Sequence, residues 1–124
     1  MTSKDIFIGN IEKITLKNTN FRKVLSTSKH NQLVVMSLKC GEDIGTEIHK
    51  NVDQFFRIEK GNGYVVANGK KHKIGDGMSF IIPAGTEHNI VNSDKKEPMK
   101  LYTIYSPPQH KSGTINKNKP VSHE

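Results

Sequence analysis

The chain has 124 residues, a net charge of +7 and a hydrophobic fraction of 33%, with no tryptophan. This length predicts one domain, residues 1–124, around one modest core. No apolar run approaches the about 18 residues that span a bilayer, and the N-terminal stretch lacks the long apolar segment of a secretory signal. We therefore expect a cytoplasmic protein with no membrane partner. Cys40 is the single cysteine, which agrees, because small secreted domains usually carry disulfide pairs.

The positive charge raises the question of nucleic-acid binding. The lysines, however, are scattered from Lys4 to Lys119 and are mixed with acidic residues. No aromatic-rich binding motif accompanies them, so we expect no nucleic-acid partner. Attraction of an anionic small substrate remains open.

In chain order, the sequence predicts many short strands and little helix. Apolar, β-branched runs are bounded by Gly, Pro, Asn or Asp, which is typical of a sandwich or barrel. Asn68-Gly69 predicts a two-residue hairpin turn. The N-terminal part, 6–30, holds two candidate strands that could cover a sheet edge. The predicted strands are 11–16, 21–26, 32–39, 54–61, 63–67, 78–82, 88–92 and 99–106.

The last segment, 106–124, is polar and contains paired prolines, Gly113 and several lysines. It is predicted to be either an ordered arm or a loose tail, with disorder toward its end.

Two segments carry the residues suited to chemistry. In "GTEIHKNVDQFF", Glu47 and His49 are two residues apart, so an extended chain projects both from one face, and Gln54 follows five residues after His49. In the second segment, a strand runs to Pro83 and the chain turns at Gly85. It then enters a new strand at His88.

These spacings resemble the two motifs of the cupin superfamily. The first cupin motif places His-x-His five residues after a Gly, followed by a Glu and then a further Gly. Here Gly41, Glu47, His49, Gln54 and Gly61 occupy those positions. The second motif is matched without a gap by Gly77, Pro83, Gly85, His88 and Asn92. The resemblance extends over roughly residues 33–105.

The resemblance implies an all-β, single-domain cupin barrel, a jelly-roll-like double-stranded β-helix. Cupin ligands are usually His, His, Glu and His; here Glu47 replaces the first His and Gln54 replaces the Glu. The implied ligands are therefore Glu47, His49, Gln54 and His88, a shell suited to a divalent metal such as Zn, Mn, Fe or Ni. Small cupins also usually pair through an N-terminal strand or a sheet face, so we expect a homodimer.

The segments "VDQFFRIEKGNG" and "YTIYSPPQHKSGT" together resemble small single-domain bacterial cupins described as phosphomannose-isomerase-like. This similarity suggests a metal-dependent enzyme, an isomerase acting on a small polar, sugar-like or phosphorylated metabolite. Its catalytic base would be Glu47 or His110. Dioxygenase-type oxygen chemistry and a non-catalytic module that binds a small ligand are the alternatives. The resemblance alone settles no reaction.

Several other residues have an open role. Asp53 is a rival carboxylate that would face inward if the strand slipped by one residue, and we expect it to face outward. His110 could reach the site if the C-terminal segment folds over the barrel mouth. Strand direction does not decide whether Arg57, Tyr102 or Tyr105 faces a substrate. His30, His72 and His123 are expected at the surface.

Overall fold

The computed structural model describes residues 5–121, which form two antiparallel sheets and one short helix. This arrangement confirms the all-β fold prediction. The helix is α1 (Ile11–Lys17). The strands are β1 (Arg22–Thr27), β2 (Gln32–Leu38), β3 (Asp53–Lys60), β4 (Asn62–Ala67), β5 (Lys70–Gly75), β6 (Ser79–Ile82), β7 (His88–Asn92), β8 (Met99–Ser106) and β9 (Ile115–Asn116).

The larger sheet has the strand order β6-β3-β8-β2-β1-β9, and the smaller has the order β5-β4-β7. Alternating residues of β2, β3 and β8 point between the sheets, as the period of two requires. The core they enclose is apolar and almost fully buried. Its largest fully buried apolar side chains are Phe56, Met36, Leu38, Ile58, Ile90, Met99 and Leu101.

The prediction of a strand at 11–16 is wrong, because this segment is helix α1. The β-branched residues Ile11, Ile14 and Thr15 favoured a strand. Helix capping outweighs that preference: the side chain of Asn10 accepts a hydrogen bond from the backbone N–H of Lys13 at 3.1 Å. The helix packs on β8, β3 and β2 and buries Thr15 completely. Across residues 5–121, no helix is long and apolar enough to cross a membrane.

The interior becomes polar at one end of the barrel. Tyr105 of β8 lies in register between Gln32 of β2 and Gln54 of β3, and all three side chains are buried. One step deeper, Thr103 lies between Val34 and Phe56. The polar layer therefore closes the apolar core on the side where the two sequence motifs meet.

The C-terminal segment is an ordered arm over its described length. Strand β9 pairs with β1, and the buried Gln32 side chain anchors the preceding turn. Its Nε2 donates to the carbonyl of His110 at 2.7 Å, and its Oε1 accepts from the backbone N–H of His110 at 2.9 Å. The arm therefore places His110 against the polar end of the barrel. The disorder predicted for its end concerns residues 122–124, which lie outside the described residues.

The contact between β4 and β7 generates a stability prediction at Gly63. A Cβ on this residue would lie 2.0 Å from the carbonyl oxygen of Val91, whereas a Cβ on Gly75 of β5 would meet nothing closer than 3.5 Å. We expect Gly63→Ala to lower the free energy of unfolding by about 3 kcal/mol, because overpacking against backbone cannot relax by a side-chain shift.

Urea unfolding of both variants checks this prediction. Gly75→Ala is the matched control and should be neutral or slightly stabilising, because alanine restricts the unfolded chain. Equal stability of the two variants would contradict the close packing of β4 on β7.

Candidate metal centre

Three side chains from the two motifs converge inside the polar end of the barrel. One potential ligand atom from each of Glu47, His49 and His88 lies within 4.8 Å of the others. The His49 Nε2 is 3.4 Å from the Glu47 Oε1, and the two imidazole rings are 5.6 Å apart between centroids. A carboxylate and two imidazoles at these separations are typical of a site for a divalent transition metal.

Backbone hydrogen bonds hold the first motif against the second. The N–H of Glu47 donates to the carbonyl of His88 at 2.9 Å, and the N–H of His88 donates to the carbonyl of Glu47 at 3.0 Å. The N–H of Gly85 also donates to the carbonyl of His49 at 2.8 Å. The segment 43–49 thus runs beside β7 as an extended chain with two isolated bridges, which fixes the spacing of the potential ligands.

The His88 ring is oriented by its own loop. Its Nδ1 lies 2.9 Å from the carbonyl oxygen of Thr86. An N–H at Nδ1 donates to that oxygen and leaves a lone pair on Nε2. Burial lowers the pKa of His88, so the ring is neutral near pH 7 and Nε2 is available as a ligand.

Gln54 is held with its amide oxygen free. Its Nε2 donates to Thr103 Oγ1 at 3.0 Å, while that hydroxyl donates to the carbonyl of Phe55 at 2.7 Å. Because the Thr103 proton is already used, the Gln54 amide nitrogen is the group that faces Thr103. The side chain is only 2% exposed, and its Oε1 has no hydrogen-bond partner among the described residues.

The polar end of the barrel therefore contains several unsatisfied polar atoms. His49 Nε2, His88 Nε2 and Gln54 Oε1 are all buried without a hydrogen-bond partner within residues 5–121. A buried polar atom left unpaired costs about 1–3 kcal/mol. A divalent cation accepts lone pairs from all three atoms, so the donor set fits a metal.

The electrostatics of Glu47 suit the same role. Burial raises the pKa of its carboxyl, but the imidazole of His49, whose Nε2 lies 3.4 Å from Oε1, and the charge of Arg22 outweigh this effect. The net result is a pKa below the ordinary value. Glu47 is therefore ionised near neutral pH, as a carboxylate ligand must be.

Tyr105 and His110 form the wall beside His49. The Tyr105 ring meets the His49 ring edge-on at 5.9 Å, and its hydroxyl lies 3.2 Å from the His110 Nε2. Burial raises the pKa of Tyr105, so the phenol keeps its proton. Burial, together with the nearby charge of Arg22, lowers the pKa of His110 to about 4, so this imidazole is neutral.

Arg22 is a site residue that the sequence analysis did not identify. It lies on β1, is 8% exposed, and its charge acts on Glu47, Tyr105 and His110. The signal available in the sequence was the predicted strand 21–26. Because successive side chains of a strand point to opposite faces, Arg22 lies on the same face as the core residue Val24. An arginine at an inward-facing position of a strand indicates a functional or paired charge.

The remaining candidates lie away from this cluster. Asp53 is exposed and accepts a hydrogen bond from the N–H of Ala84 at 2.8 Å. Arg57 and Tyr102 are register partners on the outer face of the larger sheet, opposite the inward-facing Tyr105. His30 and His72 are exposed, and His123 lies outside the described residues.

Known proteins match both the sequence and the fold. Residues 34–105 match the cupin domain family. The uncharacterized protein L612 of Acanthamoeba polyphaga mimivirus is 48% identical over 121 residues, covering 94% of this chain and 75% of the relative. The uncharacterized protein YrkC of Bacillus subtilis (strain 168) is 47% identical over 119 residues. That alignment covers 91% of this chain, which spans only 63% of the relative's length.

Among solved structures, BH2720 from Bacillus halodurans superposes with a TM-score of 0.90 and 43% sequence identity. The alignment covers 94% of this chain and 92% of that structure. KdgF from Halomonas sp., at 22% identity and a TM-score of 0.65, shares the fold. On the matched domain, the two motifs and these relatives, the chain belongs to the cupin family.

Proposed function

We propose that the chain binds one divalent metal through Glu47, His49, Gln54 and His88. The observation that carries the proposal is the set of three buried ligand atoms that have no hydrogen bond within the described residues and lie at the same end of the barrel as an ionised carboxylate. Two imidazoles, one carboxylate and one amide oxygen suit Zn, Mn, Fe or Ni.

We propose that this centre serves an enzyme acting on a small polar metabolite, sugar-like or phosphorylated, in an isomerase-type reaction. When bound, the metal would polarise a carbonyl or hydroxyl oxygen of the substrate as a Lewis acid. Tyr105 presents a protonated hydroxyl beside the site, 3.2 Å from Nε2 of the neutral His110. Because burial raises the pKa of Tyr105 and lowers that of His110, this pair is suited to orienting a substrate oxygen by hydrogen bonding. Of the two candidate bases, Glu47 is better suited to be a ligand, since its pKa is lowered.

A second candidate is metal-dependent oxygen chemistry. Two histidines and one carboxylate are also the ligand set of many non-haem iron oxygenases, which leave coordination positions open. Here Glu47, His49 and His88 form such a set, with Gln54 as an additional oxygen donor. This candidate requires iron, or another metal that reacts with oxygen.

We further propose that the protein is a cytoplasmic homodimer with a single domain. An apolar row crosses the outer face of the larger sheet, with Phe55 in register with Ile81 on one side and Ile104 on the other. Ile81 is 65% exposed. A second copy covering this row would bury apolar surface that the monomer leaves in water.

Removal of one imidazole tests the metal site. We expect His88→Ala to lose metal binding by at least about a hundredfold while remaining folded, because no other described side chain can replace Nε2. Zinc titration with a competing chelator and elemental analysis measure the effect. His72→Ala, an exposed histidine on β5, is the matched control. Undiminished metal binding by His88→Ala would contradict the assignment.

The metal acquired in the cell separates the candidate functions. Stoichiometric zinc or manganese in protein purified without a chelating tag supports the isomerase proposal. Iron or nickel, with oxygen uptake in the presence of enediol or catechol compounds, supports oxygen chemistry instead. A protein that acquires no metal would support a non-catalytic ligand-binding module.

His110 generates a pH prediction. Its pKa is about 4 in the folded protein, against an ordinary value of 6.5, so between these values the unfolded chain binds a proton that the folded chain does not. The stability contribution of His110 is therefore complete above pH 6.5 and is lost as the pH falls toward 4. We expect His110→Gln to show a flatter pH dependence of stability across this range.

Urea unfolding of the metal-free protein at a series of pH values measures this effect. His30→Gln, at an exposed position, should keep the pH dependence of the wild type. A His110→Gln curve parallel to the wild type would show that His110 is not buried in its neutral form.

A further inference from the structure

The guanidinium of Arg22 is buried with part of its hydrogen-bonding capacity unused. The residue is 8% exposed, and its Nη1 donates to Asn116 Oδ1 at 3.0 Å. Its Nε is buried and has no hydrogen-bond partner among the described residues. Within residues 5–121, no carboxylate forms an ion pair with it.

The guanidinium belongs to the same interior region as the metal centre. Its charge acts on Glu47, Tyr105 and His110, which together span the space from the ligand cluster to the C-terminal arm. The ring of Phe21 lies 5.1 Å below the guanidinium carbon, and Asn116 of β9 holds one amino group. Arg22 also shares a side-chain hydrogen bond with Tyr105, which borders the ligand cluster. The side chain is therefore held in place, while its Nε remains without a partner among the described residues.

The formal charges in this region indicate that an anion is missing. An unpaired charge is costly to bury, and arginine is normally buried only with an anionic partner. Once a divalent metal is bound, two metal charges and the charge of Arg22 are balanced only by Glu47, the one carboxylate among the proposed ligands. The interior then carries an excess of positive charge that a ligand can neutralise.

We propose that Arg22 binds an anionic group, a carboxylate or a phosphate, of the small molecule that occupies the metal centre. A guanidinium suits both groups because its planar donors can contact two oxygens at once. The inference extends the proposed function, since it names the chemical class of the ligand. The contact between Arg22 and an anion does not itself require the metal, so the two can be tested separately.

The first experiment follows Arg22 in the wild-type protein. The Nε–Hε resonances of the two arginines, Arg22 and Arg57, are recorded by NMR while inorganic phosphate or malonate is added to zinc-loaded protein at constant ionic strength. We expect the Arg22 resonance to shift and saturate with at least one anion, while that of Arg57, on the outer face, stays unchanged. The two anions distinguish a phosphate site from a carboxylate site. No saturable shift with either anion would overturn the proposal.

The second experiment compares variants. We expect Arg22→Met to weaken binding of the same anion by about tenfold or more, since a charge-assisted hydrogen bond is lost. Arg57→Met is the matched control and should bind as the wild type does. Unchanged anion binding by a folded Arg22→Met would overturn the proposal.

Folding and metal binding are measured alongside. If Arg22→Met does not fold, Arg22→Lys is used in its place. The lysine keeps the positive charge but lacks the planar pair of N–H donors, so we again expect weaker anion binding. Zinc affinity should be retained in the Arg22 variants and lost in His88→Ala. If the protein binds the anion but not zinc, the proposed metal centre is refuted and the Arg22 site is supported. If it binds zinc but not the anion, the Arg22 site is refuted and the metal centre is supported.

Discussion

The site depends on the pair of backbone hydrogen bonds between Glu47 and His88. These two residues are far apart in the sequence, and each belongs to a different motif. The bridge draws the irregular segment 43–49 onto the edge strand β7 and brings His49 beside His88. Each potential ligand is thus positioned by backbone structure, which is more rigid than side-chain packing alone.

The apolar side chains that stabilise the barrel lie at one end, and the polar side chains of the candidate site lie at the other. Leucine, isoleucine, methionine and phenylalanine fill one end, where their burial supplies the hydrophobic stabilisation. The other end holds glutamine, histidine, tyrosine and arginine, several of them with unsatisfied atoms. Such unsatisfied groups reduce stability, so their concentration at one end of the barrel is best explained by a ligand. The arm held by Gln32 closes this end and contributes His110 to its wall.

Much of the fold could be predicted from the sequence because the signals that specify it are local. Strand periodicity, the Asn68-Gly69 hairpin and the two motif spacings correspond to β2–β8 and to the convergence of Glu47, His49 and His88. The strand prediction failed at 11–16, where intrinsic strand preference competed with helix capping by Asn10 and packing on the sheet. A short segment with β-branched residues is ambiguous until its tertiary neighbours are known. Arg22 was missed for a similar reason, since its burial depends on β9, nearly a hundred residues away in the sequence.

The proposed function requires one metal ion bound by Glu47, His49, Gln54 and His88. Diffraction from crystals of the zinc-loaded protein, recorded at the zinc absorption edge, tests it most directly. We expect a single anomalous peak per chain, bonded to two imidazole nitrogens, the Glu47 carboxylate and the Gln54 amide oxygen. A peak at another location, or zinc at this location without both imidazoles as ligands, would contradict it.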